Sequence, residues 1–193
     1  VAAEVFGVKA KDVDAEMRRQ IKAMSYGLAY GLSSFGLSAQ LSISPPEASD
    51  LMDRYFQRFG GIRDYLKNVV EEARKVGYTE TVMGRRRYLP DLTHDNRMRR
   101  EISERAALNS PIQGSAADII KQAMLNVDAA MAKAKLKSRM LLQVHDELVF
   151  EVAPGELEQL KLIAVDCMSN VVKLSVPLEV HLGVGKTWDS AGH

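Results

Sequence analysis

Apolar residues return at helical spacing through most of the first half of the chain and give way to strand-like runs at a few points beyond it. Ala48, Leu51, Met52, Tyr55, Phe56 and Phe59 predict one amphipathic helix. In front of it, Ser44-Pro-Pro-Glu47 reads as a capping box with Pro45 at the first helical position. Gly60-Gly61 stops that helix. Ile62, Tyr65, Leu66, Val69, Val70, Ala73 and Val76 predict another, ended by Gly77. Upstream, VAAEVFGV leads through a short polar link to a helix over about residues 14–31, with Asp12 and Asp14 as caps and Glu16 in its first turn. After a serine-rich break, SFGLSAQL predicts a short helix.

Between Tyr78 and Pro90, β-forming residues flank Gly84 and predict a short hairpin. Asp95 to Ala107 returns to helix. Pro111 then predicts a new helix and a kink before it, because proline lacks the N–H that would continue the old one. Ala116, Ala117, Ile119, Ile120, Ala123, Met124 and Val127 give it a long packing face. MLLQV and LVFEV predict two strands around His145, Asp146 and Glu147, and these apolar strands imply a deep, rigid turn. A helix with Leu157, Leu160, Ile163, Ala164 and Cys167 follows Pro154-Gly155, and PLEVHLGVG predicts a last strand. The fold class expected is α+β.

Composition narrows the function classes. A chain of 193 residues suits one domain or two small ones, large enough to bury about 70 % of the surface it exposes when unfolded. Its net charge of +1 gives no global signature for nucleic acid, so any such signal is local. Cys167 is the only cysteine, which excludes an internal disulfide framework and a cysteine-based metal site and fits a reducing cytoplasm. No apolar run is long enough for a membrane span. Val1, in place of Met, opens the chain inside a helix end, so the sequence reads as a fragment.

Candidate chemistry concentrates in a few places. Arg18, Lys22, Tyr26 and Tyr30 fall every fourth residue, along one stripe about 18 Å long. Two cations followed by two rings match a nucleoside triphosphate, with phosphates at one end and a sugar and flat base at the other. Gly27 and Gly31 are costly in a helix and suggest close approach of another body. The competing reading is an amphipathic helix with its tyrosines in the core. Arg85, Arg86 and Arg87 crowd the first hairpin and are either a solvated basic turn or a phosphate contact. Arg97, Arg99, Arg100 and Arg105 make the most basic patch. Arg105, Asn109 and Gln113 all donate hydrogen bonds at four-residue spacing, which suits either capping and a satisfied amide or a check on minor-groove acceptors. Asp146 and Glu147 beside His145 are either inert turn residues or a cation site.

The pattern of Arg18, Lys22, Tyr26-Gly27 and Tyr30-Gly31 resembles the nucleotide-binding helix of bacterial family A DNA polymerases, the type-I repair and replication enzymes. ERAALNSPIQGSAADIIKQAM from Glu104 and QVHDELVFE from Gln143 resemble later motifs of that family, in its order. The resemblance implies a helical fingers subdomain over residues 1–95 and the C-terminal part of a palm over 96–193, with an antiparallel β-hairpin and packing helices. It implies template-directed addition of deoxynucleotides to primer-template DNA with two magnesium ions. Arg18 and Lys22 would hold the β and γ phosphates, Tyr26 would sit by the sugar, and Tyr30 would guard the templating base. Asp146 would hold magnesium, Glu147 would assist indirectly, and His145 would touch the primer end. Arg105, Asn109, Gln113 and Arg86 would contact DNA. One departure matters: the family's first catalytic aspartate lies in a strand motif of the type DYSQIELR, which is not found in this sequence. The missing N-terminal part of the polymerase is thus the expected partner, and the isolated chain is expected to be inactive. A non-catalytic nucleic-acid-binding helical module is the alternative, and a purely structural helical interaction domain is a third.

Overall fold

The computed structural model describes residues 1–29 and 31–191, with Ala29 described by its backbone. The chain divides into two compact units, Val1–Ser115 and Ala116–His193.

The first unit opens with α1 (Ala2–Phe6), a 3-10 turn at Ala10–Asp12, and α2 (Ala15–Ala29). Asp14 caps α2, its Oδ1 accepting the Met17 N–H at 2.7 Å. Next come α3 (Ser34–Leu41), α4 (Pro45–Arg58) and α5 (Gly60–Val76). The capping box at Ser44 and Glu47 forms as expected, and Gly77 closes α5 with φ 83°. Val5, Ile21, Met24, Leu28, Leu37, Leu41, Ala48, Leu51 and Tyr55 make one core among the first four helices. The hairpin of β1 (Tyr78–Glu80) and β2 (Arg86–Tyr88) pairs antiparallel, Tyr78 opposite Tyr88. A second cluster, Ala73, Leu89, Leu92 and Ala107, joins α5, the segment after β2, and α6 (Arg97–Lys133).

Helix α6 corrects the sequence reading at Pro111. No new helix starts there; the proline lies inside one continuous helix. Serine hydroxyls support the carbonyls of that turn, Ser110 Oγ donating to the Ala106 carbonyl at 2.5 Å and Ser115 Oγ to that of Pro111.

In the second unit β3 (Arg139–Val144) and β4 (Glu147–Glu151) form an antiparallel hairpin, followed by α7 (Leu157–Ser169). Met140, Leu148 and Phe150 pack against Val127, Met131 and Leu160. The last predicted strand is a further correction: residues 177–185 form none. A strand persists through its ladder to a neighbour, and among the described residues β1 pairs only with β2 and β3 only with β4. Among the described residues no helix is long and apolar enough to cross a membrane.

Candidate functional site

Helix α2 buries Ile21, Met24 and Leu28 and turns Arg18, Lys22 and Tyr26 to solvent. Tyr26 is 59 % exposed, which removes it from the core where the competing reading put it. The Lys22 ammonium lies 5.9 Å from the Tyr26 ring centroid, so cation and ring line up along the stripe. Tyr30 lies outside the described residues.

Charge sorts the cations of α2 into two kinds. Arg19 is held by Glu16, donating at 2.7 and 2.6 Å, and with Gln20 it keeps the Glu16 carboxyl down at about 2. Arg18 and Lys22 form no ion pair among the described residues. An anion arriving on this stripe therefore meets two cations that no carboxylate among the described residues pairs with.

Close approach explains both glycines, and the approaching groups belong to this chain. A Cβ on Gly27 would fall 2.5 Å from Leu32 Cδ2. Gly31 has φ 67°, and a Cβ there would fall 3.0 Å from Arg105 Cγ and 3.1 Å from Leu108 Cδ1. The Gly31 N–H bonds the Leu28 carbonyl and the Leu32 N–H bonds that of Gly27, the pattern of a left-handed helix end.

Because α6 is unbroken, Arg105, Asn109 and Gln113 share one of its faces. Arg105 and Gln113 are exposed and Asn109 is half-buried. Arg105 has no ion pair among the described residues. The rest of the basic patch is engaged: Arg97 pairs with Glu101 at 2.6 Å, while Arg99 and Arg100 bond the ring and carbonyl of His94 at 3.3 and 3.0 Å.

The hairpin arginines also have partners. Arg86 pairs with Glu80 at 2.6 Å and covers the Tyr78 ring at 4.4 Å. Arg85 donates to the Gly114 carbonyl at 3.0 Å and Arg87 to Ser110 Oγ at 3.1 Å. Sequence reasoning missed these two bonds. Their only trace in the sequence is the run of small residues Ser110, Gly114 and Ser115, which lets another backbone approach α6.

In the second unit, His145 and Asp146 are the two residues of the β3–β4 turn, and Val144 pairs with Glu147. His145 takes φ 53°, and its carbonyl accepts from the Gln143 amide. The expected depth is not observed: both turn residues are exposed. Leu141 and Leu142 are also 51 and 52 % exposed, while Met140, Leu148 and Phe150 pack against the core of this unit.

These two units, one with an exposed cation-and-ring stripe and one with a carboxylate at a hairpin turn, define a polymerase-type fold. The chain belongs to DNA polymerase family A, whose family model matches residues 1–190. It is 63 % identical over its full 193 residues to DNA polymerase I of Mycobacterium tuberculosis, and spans 21 % of that protein. Against DNA polymerase I of Geobacillus stearothermophilus it is 46 % identical over 190 residues, 98 % of this chain and 22 % of that one. Among solved structures it is similar to the POL domain of Pol1 from M. smegmatis in complex with DNA primer-template and dNTP. The TM-score is 0.97 at 60 % identity, covering all of this chain and 34 % of that one.

Proposed function

We propose that these residues form the nucleotide-binding fingers and the C-terminal part of the palm of a DNA-directed DNA polymerase, acting within a longer parent chain. The single observation that carries this is the α2 stripe: Arg18 and Lys22 exposed without an ion pair among the described residues, followed by Tyr26 exposed to 59 %. Residues 1–95 serve as fingers and 96–193 as palm. Arg18 and Lys22 hold the triphosphate by charge-assisted bonds, Tyr26 lies against the sugar, and Tyr30 guards the templating base. Arg105, Asn109 and Gln113 donate to the minor-groove acceptors that every matched pair offers. Arg86 meets the DNA backbone, and His145 meets the primer end.

Magnesium suits the donors at the β3–β4 turn, since it is commonly held by one or two carboxylates together with substrate phosphates. Asp146 is an exposed carboxylate of that kind, with Glu147 next to it in β4. Among the described residues no group of three or more potential ligands comes together, so Asp146 contributes to a site that the parent chain completes. Two magnesium ions held there and by the parent chain would supply charge stabilisation to nucleotidyl transfer. This chain orients the triphosphate, checks the pair and supplies one ligand; alone it does not extend a primer.

In the complete parent polymerase, Asp146→Asn removes a ligand without adding bulk. Turnover is expected to be abolished while primer-template affinity stays within about twofold, since DNA affinity rests on phosphate contacts. Near-normal turnover would make Asp146 an ordinary turn residue and favour a non-catalytic nucleic-acid-binding module.

A further inference from the structure

We propose that the tip of the β1–β2 hairpin, Thr81 to Arg87, is a splint that grips α6 across its proline turn and thereby positions Asn109 and Gln113. The inference rests on the minor-groove role assigned above to those two residues.

Pro111 supplies no N–H to the Ala107 carbonyl, so at its turn the ladder of α6 is short of a bond. The hairpin tip makes its bonds at that place. Arg87 donates to Ser110 Oγ at 3.1 Å, Arg85 to the Gly114 carbonyl at 3.0 Å, and the Val82 N–H to Ser115 Oγ at 2.9 Å. The two serines pass the grip on to the helix backbone at Ala106 and Pro111. Ser110 directly follows Asn109 and Gly114 directly follows Gln113, so each arginine bond anchors the residue beside a minor-groove donor. Gln113 itself stays exposed.

The tip is built to hold this shape. Thr81 Oγ1 accepts the N–H groups of Met83 and Arg85 at 3.3 and 3.1 Å, and Gly84 turns the chain with φ 80°. Contact with α6 is tight enough to require a glycine, because a Cβ on Gly114 would fall 2.7 Å from Thr81 Cγ2. Two of the three arginines therefore spend donors on a helix at places where a phosphate contact would need them turned outward.

The test compares, in the complete polymerase, extension from a normal primer end and from one whose terminal purine is the 3-deaza analogue, which lacks the minor-groove acceptor. The ratio of the two rates reads the minor-groove check. Gln113→Ala is expected to pull that ratio toward one, and Arg85→Ala, Arg87→Ala and Ser110→Ala are each expected to lower it about threefold, the scale of one neutral hydrogen bond. Arg87→Lys, which keeps a donor, is expected to restore part of it. Adding a hairpin change to Gln113→Ala is expected to change the ratio no further.

An unchanged ratio in the hairpin variants, with Gln113→Ala still lowering it, would overturn the splint and leave the minor-groove role intact. So would equal slowing on both primer ends in step with lost thermal stability, which is a purely structural role. A drop of about one in the salt slope of DNA affinity per arginine removed, with the ratio unchanged, would make them phosphate contacts instead. If Gln113→Ala itself left the ratio unchanged, the minor-groove assignment would fall, and the splint with it.

Discussion

Gly31 and Arg105 meet where the α2 stripe ends: a Cβ on Gly31 would stand 3.0 Å from Arg105 Cγ, in a residue whose φ is 67°. A side chain at that φ costs about 1 to 2 kcal/mol, and the crowding adds to it. Gly31→Ala is therefore expected to lower unfolding free energy by at least about 1 kcal/mol, read by denaturant titration. A variant as stable as the parent would contradict both the strain at that φ and the crowding by Arg105 and Leu108.

Glu156 ties the start of β3 to the start of α7. Its carboxylate accepts the N–H groups of Lys137 and Ser138 at 2.9 and 2.8 Å and the Ser138 hydroxyl at 2.6 Å. The Ser138 hydroxyl bond, then that from the Lys137 N–H, holds the carboxyl below the ordinary carboxylate range. A depressed folded value stabilises the fold above the ordinary value and is lost as pH falls through the folded one. Wild type is expected to exceed Glu156→Gln in thermal stability above the ordinary carboxylate range, with the gap closing as pH falls below that range through the lowered folded value. A gap independent of pH would place the effect elsewhere than in the ionised carboxylate.

Local rules made much of the fold legible. Ser44 and Glu47 cap α4 reciprocally, Gly77 ends α5, and the residues around Gly84 form a hairpin, because each depends on neighbours in sequence. What depended on distant partners was read less well. Pro111 signals a break, yet Ser110 and Ser115, bonded by Arg87 and Val82 from the hairpin, belong to an unbroken α6. Leu178, Val180 and Leu182 alternate like a strand, but alternation does not supply a ladder partner. At the candidate site, spacing placed Arg18, Lys22 and Tyr26 on one stripe; only packing shows that the stripe faces solvent.

Tyr26 carries a further consequence for substrate choice. A normal deoxynucleotide has a 3′-hydroxyl that helps hold its own phosphate, and a dideoxynucleotide lacks it. The phenol of Tyr26 is on the exposed side of α2, where its O–H is available as a substitute donor. In the complete polymerase, Tyr26→Phe is expected to disfavour dideoxynucleotides by at least about tenfold, one bond to a charged group, with little change for normal substrates. Single-turnover incorporation of matched pairs measures it. An unchanged ratio would mean that Tyr26 does not face the sugar.

The triphosphate role of the stripe is tested most directly at Lys22, whose ammonium lies 5.9 Å from the Tyr26 ring. The decisive measurement is single-turnover incorporation of a matched deoxynucleotide by Lys22→Ala in the complete polymerase, alongside its primer-template Kd. Loss of one charge-assisted bond predicts a roughly tenfold to hundredfold fall in nucleotide kcat/KM, with DNA Kd within about twofold of the parent. Equal losses in nucleotide use and DNA affinity would contradict this, and would place Lys22 on the DNA backbone and not on the triphosphate.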